Sequence, residues 1–241
     1  MTAVETSVPS PVATAGRTPH DLRRATRVLA ALILPLGPAL VAVLRFVMPY
    51  STTDDEKTIV REVAAHQSTQ SVVVWFGFFG ALALVPAVMW VGRLTRTRAP
   101  RLTAAALLLL VPGYTALMLM VASDAAVLFA VKHHLDPNTG ADAFTGLHAA
   151  TGVAGVIFVP AHVIGTILLG VALWRTGVVP RWAALATIAA QPLHFIAAIV
   201  VSSHPLDLVG WGLNAVGFAA ASIAILRLPD DQWDLPPRAR R

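Results

Sequence analysis

Six apolar runs, each bounded by polar or basic residues, leave this chain few ways to fold. A helix needs about 20 apolar residues to cross a bilayer, and helices and closed barrels alone satisfy their backbones within lipid. The runs lie at about residues 28–48, 71–92, 102–131, 148–174, 182–201 and 206–228. Pro35, Pro38, Pro86, Pro112, Pro160 and Pro192 fall inside them, which spans tolerate when neighbouring helices supply partners for the freed carbonyls. The expected fold is all-α: a polytopic membrane helix bundle over residues 25–228, with six Pro-kinked transmembrane helices. A disordered basic tail at 1–24 and a polar tail at 229–241 flank it.

The charges fall almost wholly outside these runs. A net charge of +5 would suggest nucleic acid in a soluble protein. Here the basic residues gather at the ends of the runs, so the expected partners are membrane lipids, above all an anionic inner leaflet, and not nucleic acid. Association with further copies of the chain stays open. Fourteen Lys and Arg residues fall on the side of the termini and three on the other, with Arg45 inside the first run near its far end. That bias places both termini in the cytoplasm. The absence of cysteine excludes disulfides, thiolate metal sites and covalent haem attachment.

Between the first two runs, Thr53 and Glu56 fit a capping box, and Ile59, Val60, Val63 and Ala64 recur at helical spacing. An amphipathic helix is expected at about 53–66, on the outer side. Asp136-Pro137-Asn138-Thr139-Gly140 reads as a turn. A parallel repeat is also possible: Arg96-Thr97 before Pro100-Arg101 matches Arg175-Thr176 before Pro180-Arg181, and Pro112 then falls on Pro192.

Candidate functional residues lie within the spans. Pro160/His162 and Pro192/His194 stand equally far from the turn near Val178, so antiparallel helices would hold both imidazoles level. Three stripes at helical spacing carry polar groups: His148, Gly152, Gly155, Val159, His162 and Thr166; Thr187, Gln191, His194, Ala198 and Ser202; Asp207, Gly210, Asn214, Gly217 and Ala221. Facing one another, they would form an interior with His162, His194, Gln191, Asn214 and Thr166 as binding residues. An ionisable residue inside a span is a functional hypothesis by default.

Four readings compete. The imidazoles could be structural, hydrogen-bonded to Gln191, Asn214 or a carbonyl freed by proline. They could relay protons in a small-solute carrier, a reading that lacks an acid at mid-depth. The 14-residue spacing of His148 and His162, with His194 and His204 opposite, allows a b-type haem. Asp124, His133, His134, Asp136, His148 and His204 could form an outer-face zinc site. No phosphate loop or Ser-His-Asp pattern points to an enzyme.

The acidic loop with Asp54-Asp55 and His66, the Val85-Pro86-Ala87 kink before an Arg-rich turn, and the run from Leu173 to Trp182 carry a family likeness. In these features the chain resembles small six-span membrane proteins of high-GC bacteria, uncharacterised in function. The resemblance implies a multi-pass protein of a bacterial cytoplasmic membrane and brings no catalytic residues with it.

Overall fold

The computed structural model describes residues 21–145 and 148–234, so most of the expected N-terminal tail and residues 235–241 lie outside the described residues. Among the described residues there are nine α-helices and no strand. They are α1 (Arg23–Val47), α2 (Glu56–Ala65), α3 (Gln67–Thr95), α4 (Pro100–Lys132), α5 (Pro137–Thr145), α6 (Ala149–Thr176), α7 (Arg181–Phe195), α8 (His204–Arg227) and α9 (Asp230–Trp233). A π-turn, Ile196–Val200, continues α7. The helices α1, α3, α4, α6, α7 with its π-turn, and α8 are long and apolar enough to cross a membrane. The protein is therefore an all-α polytopic bundle.

The six long helices form a ring in the order α1, α3, α4, α6, α7, α8, closed by extensive packing of α8 on α1. Leu, Val, Phe and Trp side chains cover its outside, and Leu34, Leu84, Leu110, Leu169, Leu173, Phe218 and Ile225 pack its inside. An apolar exterior costs nothing in lipid, so small residues decide how close the helices come. A Cβ on Gly37 would stand 2.9 Å from the Leu84 nitrogen, and one on Gly165 2.6 Å from Leu110 Cγ.

The ring has two chemically different ends. At the basic end, Arg98 donates to the Thr176 carbonyl at 3.1 Å, tying the two basic turns together. Helix α9 is strapped there by Arg27–Asp230 and Arg93–Asp234, both at 2.9 Å, and by Trp233 Nε1 donating to Thr26. At the other end, α2 and α5 pack on each other and on α4. Asp55 rather than Thr53 caps α2, accepting from the Thr58 N–H, which holds its carboxyl below the ordinary carboxylate range. Thr53 shares a hydrogen bond with Ser202 at 2.8 Å instead.

The stretch at Asp136-Pro137, expected as a turn, starts helix α5. Asp136 accepts the N–H groups of Asn138 and Thr139, and Pro137 sits at the first helical position, where its missing N–H costs nothing.

The stripe on α6 needs correction in its first half. Gly152 and Val159 are exposed, a Cβ on Gly152 or Gly155 would meet nothing within 4 Å, and Ala154, Phe158, Ala161 and His162 face inward. The cause is a length mismatch. Beyond the histidines, α6 runs on for about 20 Å, while α7 and its π-turn run on for about 9 Å. The first turns of α6 therefore outreach the neighbour that the stripe was expected to meet.

Candidate functional site

Local sequence places each side chain of the site. Helix α8 opens with Ser203 as N-cap and Pro205 in the first turn, and Asp207 sits where the helix dipole favours an acid. Arg45 sits in the last turn of α1, where a cation is favoured. Because α1 and α8 are neighbours, the two meet: Arg45 Nε donates to Asp207 Oδ2 at 2.5 Å. A second Arg45 nitrogen donates to Thr52 Oγ1 at 2.7 Å, and His204 donates to the Arg45 carbonyl at 2.7 Å.

Helix α8 also lies against the backbone of α7. A Cβ on Gly210 would stand 2.8 Å from the His194 nitrogen, so only glycine allows this approach. One turn earlier on α8, Asp207 Oδ1 accepts from His194 Nδ1 at 2.5 Å. His194 lies two residues before the π-turn, a backbone irregularity that occurs frequently at functional sites.

His162 lies 14 residues from the Thr176 end of α6, and His194 lies 13 residues from the Arg181 start of α7. Their rings are 5.4 Å apart, centroid to centroid. His162 Nδ1 donates to the Phe158 carbonyl at 2.7 Å, so its Nε2 carries the lone pair. That Nε2 is buried without a hydrogen-bond partner among the described residues, as are both polar atoms of the Gln191 side chain and Trp211 Nε1. Trp211 stacks parallel to His162 at 6.2 Å and edge-on to His194 at 5.4 Å. Deeper in, Asn214 is fully buried on α8, and Thr166 lies 3.4 Å from the Tyr114 hydroxyl.

A cavity of about 140 Å³ adjoins these groups. Arg45, Asp124, His162, His194 and Trp211 stand on its wall among Val, Leu, Met and Phe side chains. Asp124 Oδ1 accepts from the Tyr50 hydroxyl and from Gln70 Nε2, the latter at 3.1 Å. Burial pushes the Tyr50 phenol well above its ordinary range, which keeps it a donor.

The structure thus brings His162 and His194 together, while Gln191 is buried one turn before His194 on α7, and Asn214 and Thr166 are buried one turn beyond Trp211 and His162. It does not bring the outer residues together. His133 and His134 are exposed at the end of α4, where His133 lies on Phe129. Asp136 caps α5, and His148 caps α6 by accepting the Ala150 N–H. Among the described residues no three His, Cys, Asp or Glu side chains converge as metal ligands. Nor is there a slot for a macrocycle between His162 and His194, whose rings stand 5.4 Å apart with Trp211 against both.

Sequence reasoning missed Arg45 and Asp207 as members of the site. The signals were an arginine inside the first apolar run and an acid opening the last. The acid that the relay reading lacked arrives from the first turn of α8. Residues 28–228 match a family described as Domain of unknown function (DUF4386). No curated protein matches the chain, and no solved structure does.

Proposed function

Because the chain belongs to the DUF4386 family, whose description assigns no activity, we propose from the geometry of the site that it is a proton-linked carrier of a small solute. The six long apolar helices make it an integral membrane protein of the multi-pass kind. One observation carries the finer reading: an Asp207–His194 dyad stands beside a cavity, and the neighbouring His162 keeps a bare, buried Nε2. Because a buried polar atom left unpaired costs about 1–3 kcal/mol, an Nε2 at the cavity wall is a favourable place for a proton or a solute hydrogen bond.

The dyad also supplies a coupling element. Asp207 serves Arg45 and His194 at once, so a proton gained or lost at His194 Nε2 changes the bond between α8 and α1. Toward the basic end the polar column gives way to a packed layer containing Leu169, Leu173 and Phe218. A carrier in one of its end states has this form, with a polar site and an apolar closure on one side.

The test is solute-driven proton movement in proteoliposomes holding a pH dye, compared with protein-free vesicles. Small cationic, anionic and neutral solutes are each supplied as a gradient. At least one class should move protons with the wild-type protein. His194→Gln should abolish that movement, because the amide can bond Asp207 but takes no proton. Proton movement at the protein-free rate for every class would overturn the reading.

A further inference from the structure

We propose that the cavity takes a small protonated amine, anchored on Asp124. The inference rests on the carrier reading for its place in a transport cycle, but its test is of binding alone. The charges on and behind the wall are two carboxylates and one guanidinium. Arg45 and Asp207 are 2.5 Å apart and cancel each other. Asp124 remains, a carboxylate in no ion pair among the described residues.

The surroundings of Asp124 orient it as an anchor. Both of its hydrogen bonds, from Tyr50 and Gln70, arrive at Oδ1. They hold the carboxyl group and leave Oδ2 without a hydrogen-bond partner among the described residues. The rest of the wall includes Phe158, Phe195 and Trp211 with Met48 and Met120. Aromatic faces attract cations, and thioethers are soft and polarisable. An anion would meet Asp124 with the guanidinium already neutralised. A neutral solute would leave Asp124 Oδ2 without a partner charge.

Size limits the amine. A volume of about 140 Å³ is close to that of an engineered cavity of about 150 Å³ that takes benzene, so a short alkylammonium suits it better than a bulky drug-like cation.

The experiment titrates n-butylammonium, n-butanol and butyrate into the detergent-solubilised full-length protein near neutral pH, by calorimetry. Butylammonium should bind about tenfold or more tightly than either analogue, as expected for a charge-assisted contact. Asp124→Asn, which keeps an oxygen for Tyr50, should weaken butylammonium binding by a similar factor. Equal or tighter binding of butyrate or butanol overturns the proposal, and so does binding of none of the three. Undiminished butylammonium binding in a folded Asp124→Asn protein also overturns it. The ranking of the three ligands needs no variant, so the proposal stays falsifiable if Asp124→Asn misfolds. Butyrate binding together with butyrate-driven proton movement would sink the amine and keep the carrier. Butylammonium binding with no solute moving protons would do the reverse.

Discussion

At the scale of single residues, the Arg45–Asp207 pair dominates the energetics of the site. The Asp207 side chain is 2% exposed and that of Arg45 14%, so each charge depends on the other for what it lost in leaving water. Removing one partner strands the other. Asp207→Ala should destabilise the protein by about 3–5 kcal/mol, measured by denaturant unfolding in detergent. Replacing both charges with apolar residues, as Arg45→Met with Asp207→Leu, should cost far less than the two single changes summed, because no charge is then left unpaired. Additive losses would mean that the two charges do not depend on each other. In the proposed carrier the pair also transmits protonation at His194, so a stable double variant that no longer moves protons would separate its structural role from its role in coupling.

At the scale of elements, the mismatch between α6 and α7 decides which substitutions matter. Ala154 is 3% exposed, whereas a Cβ on Gly155 would meet nothing within 4 Å. Ala154→Leu should therefore overpack the α6 interface and cost about 1–3 kcal/mol. Gly155→Leu should change stability by about 0.5 kcal/mol or less, as outward substitutions do. Unfolding temperatures of the two variants in detergent check this, and a larger loss for Gly155→Leu would return the glycine stripe to the interior. The inward stripes of α8, and of α7 as far as Ala198, are legible in the sequence because both helices are flanked along their polar faces, whereas Ser202 lies beyond the helix, exposed, and bonds Thr53. Spacing cannot report that α7 stops short, so the same reasoning failed on α6. At α5 the residues were read in the wrong frame. Asp-Pro-Asn looks like a turn, yet an acid followed by proline is equally a helix start, and only the packing of α5 on α2 and α4 selects the second.

At the scale of the whole molecule, six apolar runs dictate a bundle but not the order of its helices. Ring closure by α1 and α8 is a long-range fact with no local signature, and it is what brings Arg45 to Asp207. The ends of the ring, in contrast, are written in its charges. Arg93, Arg96, Arg98, Arg101, Arg175, Arg181 and Arg227 gather where α9 is strapped, and α2 with α5 occupies the other end. The positive-inside rule predicts that the basic end faces the cytoplasm, with the cavity beside Arg45 toward the outside. The chain contains no cysteine, so single cysteines report the orientation cleanly. Ser68, Asn138 and Thr97 are all exposed, the first two toward the α2–α5 end and the last in a basic turn. In intact cells an impermeant maleimide should label Ser68→Cys and Asn138→Cys, and should label Thr97→Cys only after permeabilisation. Labelling of Thr97→Cys alone would invert the molecule in its membrane. The Asp124 cavity would then open toward the cytoplasm, and a carrier built on it would be caught in its inward-facing state.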